Sequence, residues 1–293
     1  MAKPMMQPYL KLIKHGIILG NLVPVIAGFC LGLSFTHTSD VALLLWTLLG
    51  LSLVIASATI INNIIDRDID QKMTRTQNRP LINGDIKLSQ ATILAILSGL
   101  FGFIILYYKV NLIAGNLALI GFIDYVLLYS LIFKRHSPYS ILIGSISGAI
   151  PPLVGYVAVS SQLDFTMLYL FVIFSSWQVI HSYAIALYRR EDYQKANIPM
   201  PPLLMTRNRV QQQMLGYTFI MFVAVLLLIF TNFYFIIPQI GAIIIMVYWL
   251  GSIIAPIRRS TEGWGREQFL NSLWVIMALC FFSMIDRGML FWL

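Results

Sequence analysis

The composition of this 293-residue chain excludes an ordinary water-soluble protein. Hydrophobic residues make up 58% of the chain and charged residues 11%, whereas soluble domains contain roughly 45–50% apolar and about 25% charged residues. So apolar a chain has too little polar surface to coat a particle in water, and a disordered chain and a disulfide-stapled secreted module are excluded as well. We therefore expect a membrane protein. Its net charge of +8 would suggest a nucleic-acid partner in a soluble protein.

Nine apolar runs follow one another along the chain, and a membrane-spanning helix needs about 20 such residues. The predicted spans are Gly16–Phe35, Val41–Ile61, Ala91–Tyr108, Leu112–Phe133, Tyr139–Ser160, Phe165–Leu187, Met214–Phe230, Phe235–Ile254 and Phe269–Ile285. The predicted fold class is all-α, a polytopic membrane protein in which residues 1–293 form one integral-membrane domain. The first run is too long for a signal peptide and no Arg-rich, Ser-rich leader precedes it, so we expect a bacterial inner membrane.

The basic residues are sorted by the predicted spans. With the N-terminus in the cytoplasm, 18 of the 20 Lys and Arg residues fall on the cytoplasmic side, and only Lys109 and Arg287 fall on the other. This distribution follows the positive-inside rule and predicts a cytoplasmic N-terminus and an external C-terminus. It also accounts for the net charge, so we expect no nucleic-acid partner. The two longest connections, Asn62–Gln90 and Tyr188–Gln213, lie on the cytoplasmic side, where we expect the active site.

The first of these connections begins with a polar cluster, INNIIDRDIDQKMTRTQNRP from Ile61. If the second span continues as a helix, Asn62, Asp66 and Asp70 lie on one stripe and Asp68 lies on another face. Oxygen ligands of this kind suit Mg²⁺, which also binds substrate phosphate oxygens. The alternative is a solvated, charge-balanced loop. The basic residues that we expect to hold a polyanion here are Arg67, Lys72, Arg75 and Arg79.

A second polar cluster ends the sixth span, with Tyr188 and Asp192 four residues apart. Three cations accompany them, namely Arg189, Arg190 and Lys195. A third group, Tyr129 with Lys134 and Arg135, ends the fourth span. Flanking positive charge and an interfacial Tyr are also ordinary features of membrane helices.

Polar side chains inside the predicted spans are costly in hydrocarbon and mark candidate sites. His181 lies in the sixth span, and either a substrate or metal contact or a helix–helix hydrogen bond explains it. Asp124 lies in the fourth span, and either a role in a site or pairing with a buried polar neighbour explains it. Asn21 lies in the first span.

Several stretches resemble the UbiA-type intramembrane prenyltransferases. Asn62, Asp66 and Asp70 reproduce the NxxxDxxxD motif of that family. The wider string NNIIDRDIDQKMTRTQNRPL resembles the branch that farnesylates heme, as do Gly16–Phe29, Tyr129–Tyr156 and Trp177–Met200. The resemblance covers roughly residues 8–200, and the last three spans match only in general character.

The resemblance implies a nine-span helical fold around a central cavity. It implies Mg²⁺-dependent transfer of a farnesyl group from farnesyl diphosphate to a vinyl group of heme b (protoheme IX), which gives heme O. The implied metal ligands and catalytic residues are Asn62, Asp66, Asp70 and Asp192, with Lys134 as a further catalytic residue. Arg135 and the basic residues of both clusters would hold the diphosphate.

We further expect the acceptor to contact His181, Tyr129, Tyr188 and Asn21. The partners implied are farnesyl diphosphate, heme b and the lipid bilayer, together with heme A synthase or the assembly of a terminal oxidase. Two positions depart from the family pattern. Ala196 stands where many members carry the second acidic residue of a DxxxD motif, which leaves fewer carboxylates there. Lys14–His15 replaces a Lys-Pro pair, a change expected to affect only the start of the first helix.

Other functions fit parts of this pattern. Within the family, the acceptor could instead be a quinone-precursor ring or a chlorophyll-type tetrapyrrole. A membrane transporter is an alternative of another class, but it would place charges at the bilayer midplane and break its helices. A heme-binding assembly factor without chemistry would not need the NxxxDxxxD motif. The charges of this chain instead concentrate at one predicted membrane face, which favours a lipid diphosphate bound at the interface.

Overall fold

The computed structural model describes residues 6–33, 41–255 and 260–290. Within these ranges the chain is helical and contains no strand, and nine helices are long and apolar enough to cross a membrane. They are α1 (His15–Gly32), α2 (Val41–Ile65), α3 (Leu88–Val110), α4 (Leu112–His136), α5 (Ser140–Ser160), α6 (Phe165–Tyr188), α7 (Arg207–Asn232), α8 (Ile236–Ile254) and α9 (Thr261–Leu290). The all-α, nine-span prediction is confirmed for the described part of the chain.

Most predicted span boundaries agree with the structure to within a few residues. The largest differences are at α7, which begins at Arg207 instead of Met214, and at α9, which begins at Thr261 instead of Phe269. Both helices start with polar turns that continue outside the apolar stretch, and hydropathy does not detect such turns. Residues 34–35, the end of the first predicted span, lie outside the described residues. Short helices occur at Met6–Leu12, Arg67–Asp70, Pro80–Asn83, Arg190–Lys195 and Pro201–Leu204.

The long helices form two bundles that share one cavity. Helices α1 to α5 pack in chain order and α5 returns to α1, while α6 to α9 pack in chain order and α9 returns to α6. The bundles meet where α5 packs on α6 and where α9 packs on α1. The connections α2–α3, α4–α5 and α6–α7 all lie at one end of the bundles, which we call the basic face. The other end includes the short connections α3–α4 and α5–α6.

The backbones of α1 and α5 touch through glycine. A Cβ atom on Gly28 would lie 2.0 Å from the carbonyl oxygen of Pro152, and a Cβ on Gly155 would lie 2.1 Å from that of Val25. Neither oxygen belongs to a flexible side chain, so a larger residue must push the two helices apart. Close approach of this kind is typical of helix pairs in membranes, where small residues line the contact.

We expect Gly28→Ala to destabilise the protein by about 1–3 kcal/mol, because the added methyl group overpacks this contact. Thermal unfolding of the purified protein in detergent should show a lower midpoint. The matched control is Gly216→Ala in α7, where an added Cβ meets no atom within 4 Å. An unchanged midpoint for Gly28→Ala would contradict the α1–α5 packing described here.

Helix α4 widens over Asp124–Phe133, where its backbone follows a π-helical path. Such widened turns are rare and occur frequently at functional sites. At the start of the widened segment, Asp124 accepts a hydrogen bond from the backbone N–H of the half-buried Ser147 in α5 at 2.9 Å. Pairing with a polar neighbour was one of the two explanations for Asp124. Tyr125, Tyr129 and Ser130 follow on the same segment.

Candidate active site

A cavity of about 580 Å³ lies between α1, α2, α4, α5, α6 and α9. Its volume is in the range of sites for small molecules and cofactors, roughly 300–1,000 Å³. Most of its wall is apolar, and the polar side chains on it include Asn21, Gln178 and His181. Tyr125 and Tyr129 also line it, and their rings stack with centroids 5.8 Å apart. The ammonium of Lys134 lies 5.9 Å from the Tyr129 ring, so a cation adjoins the cavity there.

The predicted stripe of Asn62, Asp66 and Asp70 is present in the structure. Helix α2 ends at Ile65, but the backbone keeps helical hydrogen bonds from Asp66 N–H to Asn62 O at 2.9 Å and from Asp70 N–H to Asp66 O at 2.8 Å. The three side chains are buried, with at most 3% of each residue exposed. Asp68 is exposed on the other face, as predicted.

Among the described residues, three cations donate hydrogen bonds to these side chains. Lys134 Nζ donates to Asp66 and Arg79 donates to Asp70. Lys14 Nζ donates to Asn62 Oδ1 at 2.6 Å, and the Asn62 amide donates to Asp66 Oδ2 at 2.8 Å. Lys134 is buried and Lys14 and Arg79 are half-buried, so their positive charge in excess of the two carboxylates is costly unless an anion joins the group. This cluster, which we call the charged cluster (Lys14, Asn62, Asp66, Asp70, Arg79 and Lys134), is therefore suited to bind a polyanion.

Lys14 was not predicted as a site residue from the sequence. The residue precedes α1 in a left-handed backbone conformation with φ 51°, an uncommon state for a residue other than glycine. Burial lowers the pKa of Lys14 well below its usual value, and the nearby positive charges of Arg79 and Lys134 lower it further. The departure from Lys-Pro at Lys14–His15 lies at His15, and its expected effect on the start of the helix stays a prediction. Lys14, the residue common to both pairs, joins the charged cluster.

The oxygen atoms of the charged cluster fit a hard divalent cation. Asp66 Oδ1 is buried without a hydrogen-bond partner among the described residues, so it is available as a ligand. Burial raises the pKa of Asp70, although the positive charge of Arg79 partly offsets this rise. A bound cation would favour the ionised form of Asp70. No three Asp, Glu, His or Cys side chains converge as a complete metal site in the described ranges. A cation here would take further ligands from phosphate oxygens and water, as Mg²⁺ commonly does.

Asp192 joins the two long connections of the basic face. Its Oδ1 accepts a hydrogen bond from the backbone N–H of Thr74 at 2.9 Å. Lys195 Nζ lies 3.5 Å from the hydroxyl oxygen of the same Thr74. The second predicted motif therefore packs against the segment that follows the first motif. Within the described part of the chain, neither Asp192 nor Lys195 forms a hydrogen bond or ion pair with Asp66 or Asp70.

The other predicted diphosphate-binding residues are placed differently. Arg135 forms a bidentate pair with Asp68, with both distances 2.7 Å, and its guanidinium lies 3.9 Å from Asp66 Oδ1. These hydrogen bonds hold the pKa of Asp68 below its usual value. The guanidinium of Arg189 lies 4.3 Å from the Tyr188 ring. The remaining four are an exposed group on the basic face, Arg67, Lys72, Arg75 and Arg190.

Three of the four predicted acceptor residues line the cavity, namely Asn21, Tyr129 and His181. Tyr188 is placed behind Phe269, with their rings stacked at 6.3 Å, and Phe269 lines the wall. His181 forms the helix–helix hydrogen bond that was one of its two explanations, since its Nδ1 lies 2.8 Å from Ser272 Oγ in α9. Its other ring nitrogen is not engaged by that bond.

Relatives with similar sequences cover nearly the whole chain. A protoheme IX farnesyltransferase from Pectobacterium carotovorum subsp. carotovorum (strain PC1) is 43% identical over 284 residues, which are 96% of this chain and 95% of the relative. One from Cronobacter sakazakii (strain ATCC BAA-894) is 42% identical over 283 residues, with the same coverage of both chains.

Solved structures share the fold at lower identity. A digeranylgeranylglyceryl phosphate synthase matches with a TM-score of 0.75 at 19% identity, covering 97% of this chain and 98% of that one. A UbiA homolog from Archaeoglobus fulgidus bound to GPP and Mg²⁺ matches with a TM-score of 0.68 at 16% identity, covering 95% and 99%. The family model described as the UbiA prenyltransferase family matches residues 21–284. The chain belongs to the UbiA prenyltransferase family.

Proposed function

We propose that this protein transfers a farnesyl group from farnesyl diphosphate to a vinyl group of heme b and so forms heme O. The observation that carries the proposal is the charged cluster at one end of a largely apolar cavity. The cluster suits a diphosphate, while the cavity suits an isoprenoid chain and a flat apolar acceptor. Relatives named protoheme IX farnesyltransferase, aligned over 96% of the chain, support heme b as that acceptor.

The diphosphate end combines a metal with fixed cations. Asn62, Asp66 and Asp70 would hold Mg²⁺, and Asp192, which is bonded to the backbone of Thr74 in the connection after Asp70, would contribute a further oxygen ligand. When bound, Mg²⁺ neutralises charge on the diphosphate oxygens. The remaining diphosphate oxygens would be bound by Lys134, Arg79 and Lys14. Further basic residues around the charged cluster would support this binding, namely Arg67, Lys72, Arg75, Arg135, Arg189, Arg190 and Lys195. Cations held in place before reaction stabilise the charge that develops on the leaving group.

The new carbon–carbon bond would form inside the cavity, beside the residues of its wall. The bond between farnesyl C1 and the diphosphate oxygen breaks, and the diphosphate leaves with the electron pair. The stacked rings of Tyr125 and Tyr129 line the cavity next to the charged cluster, where they would stabilise the allylic cation and exclude water. The vinyl double bond of heme b supplies the electron pair for the new C–C bond. Water then adds to the resulting cation and releases a proton, which leaves a hydroxyl group on the side chain.

We also propose the cellular setting. The distribution of basic residues supports a cytoplasmic N-terminus and a basic face that meets cytoplasmic farnesyl diphosphate. Relatives from bacteria support a bacterial inner membrane. The product heme O would pass to heme A synthase or to terminal oxidase assembly, and we propose contact with one of them.

Lys14→Met should weaken binding of farnesyl diphosphate. A hydrogen bond to a charged group is worth about 1.5–3 kcal/mol, so we expect the KM for farnesyl diphosphate to rise by roughly 10- to 100-fold. The KM for heme b should change little, because Lys14 is not among the residues that line the cavity. Steady-state kinetics with each substrate varied in turn checks this.

Lys11→Met is the matched control, since Lys11 lies in the preceding short helix with an exposed side chain. We expect this variant to keep both KM values. Equal effects of the two substitutions would show that Lys14 acts only through the general charge of the basic face.

Expression in a bacterium that lacks its own heme O tests the proposed function. Hemes extracted from these cells should include a species heavier than heme b by one farnesyl and one hydroxyl addition. Unchanged heme b together with a newly prenylated quinone precursor would instead support the alternative acceptor within the family.

A further inference from the structure

The environment of His181 determines which of its ring nitrogens carries the proton. Ser272 Oγ lies 2.6 Å from the carbonyl oxygen of Phe269 and 2.8 Å from His181 Nδ1. A hydroxyl group has one proton, and a carbonyl oxygen can only accept. The Ser272 proton therefore lies on the bond to Phe269 O, and Ser272 accepts from His181. It follows that Nδ1 of His181 is protonated and that Nε2 of the neutral ring carries a lone pair.

The ring of His181 is also held in one orientation. It stacks on Trp177, with centroids 4.8 Å apart and planes 21° apart, and it contacts Phe269 at 5.2 Å. Trp177 is itself fixed, because its Nε1–H donates to the carbonyl oxygen of Ser272 at 2.8 Å. His181 lines the cavity, and its Nε2 has no hydrogen bond to any residue in the described ranges.

A rigid imidazole with a protonated, hydrogen-bonded Nδ1 and an open Nε2 has the features of a metal-binding histidine. In metal sites the second ring nitrogen almost always donates to an oxygen that fixes the tautomer and the ring orientation. Neutral imidazole is also a common axial ligand of heme iron. We propose that His181 Nε2 is an axial ligand of the heme iron when the acceptor is bound, an inference that rests on the proposed function for the identity of the acceptor.

This ligation would position the porphyrin for reaction. His181 precedes the end of α6 at Tyr188 by seven residues, a distance of about 10 Å along the helix. Because Tyr125 and Tyr129 line the same cavity, a porphyrin held by His181 would extend toward them and the charged cluster. A vinyl group on that side would then lie near the carbon that loses the diphosphate. His181 thus acts as a positioning residue for the reacting vinyl group.

Spectroscopy of the heme-loaded protein tests the proposal without relying on turnover. The full chain is purified in lipid nanodiscs, loaded with ferric heme b, reduced and examined by resonance Raman spectroscopy. We expect an iron–histidine stretching band in the wild type, its loss in His181→Ala and its recovery as an iron–imidazole band when imidazole is added. His136→Ala, which removes an exposed histidine on the basic face, should keep the band.

A second pair of variants tests the tautomer. Ser272→Ala should shift the band and weaken heme affinity by about 10-fold or more, as for other partners of metal-binding histidines, whereas Ser272→Thr keeps the hydroxyl group and should restore both. Binding of the unreactive analogue farnesyl thiodiphosphate, measured on each variant, reports whether the variant is folded and its diphosphate site intact.

The outcomes separate this proposal from the proposed function. An iron–histidine band that survives in a folded His181→Ala, or that is missing from the heme-loaded wild type, overturns the ligation by His181. Formation of heme O without such a band would overturn the ligation and leave the proposed function intact. A band that requires His181, in a protein that makes no heme O from farnesyl diphosphate, would support the ligation and overturn the proposed function.

Discussion

Asp66→Asn should lower turnover by at least about 100- to 1,000-fold, the range found when one preorganised electrostatic contact to a transition state is removed. Asp66 is buried, it pairs with Lys134, and its Oδ1 has no hydrogen-bond partner among the described residues. The amide has nearly the same shape and still accepts a hydrogen bond from Lys134. It loses the negative charge that a divalent cation requires. Single-turnover measurement of farnesyl transfer checks the expected rate.

Asp68→Asn is the matched control for this substitution. Asp68 belongs to the same segment, but its side chain is 61% exposed and pairs with Arg135 at the surface. Exposed ion pairs contribute about 0–1 kcal/mol, so turnover should stay close to that of the wild type. A folded Asp66→Asn variant with wild-type turnover would show that the metal site has been assigned to the wrong residues.

Lys134→Met should produce the second large loss of turnover, again roughly 100-fold or more, because it removes a cation that would face the leaving diphosphate. Lys134 is only 8% exposed and lies between Asp66 and the Tyr129 ring. Its loss also leaves the charge of Asp66 without its closest partner. We expect kcat to fall more than the KM for farnesyl diphosphate rises, since the charge on the leaving group is largest in the transition state.

Two further variants separate the role of Lys134 from general charge. Lys134→Arg keeps the positive charge and should recover part of the activity, although a planar guanidinium does not reproduce an ammonium. Arg209→Met removes an exposed cation from the same face and should leave kcat unchanged. A kcat that falls equally in Lys134→Met and Arg209→Met would contradict a specific role for Lys134.

The sequence predicted those features that depend on local periodicity. Apolar length gave nine spans, and the spacing of four residues placed Asn62, Asp66 and Asp70 on one buried stripe with Asp68 outside it. Both patterns follow from the geometry of a single helix. The polar first turns of α7 and α9 were not predicted from the sequence. Hydropathy identifies only the apolar residues that lie in lipid, and these two helices begin before their apolar stretch.

The remaining features of the site depend on contacts between distant segments. Lys14 reaches Asn62 only because the chain takes a left-handed turn before α1, and a lysine before an apolar run gives no signal of that turn. Arg79 binds Asp70 while Arg75, in the same connection, stays exposed. The path of the connection determines which of the two arginines reaches Asp70. His181 and Ser272 are 91 residues apart, so the protonation of the imidazole could not be read from the sequence around His181.

Mass analysis of heme, after incubation of the purified protein with heme b, farnesyl diphosphate and Mg²⁺, tests the proposed function directly. We expect conversion of heme b to a product that carries one farnesyl group and one added hydroxyl group. The product should be lost when Mg²⁺ is chelated or when Asp66→Asn replaces the wild type. Heme b that remains unchanged, in a preparation that prenylates a quinone precursor under the same conditions, would contradict the proposed function.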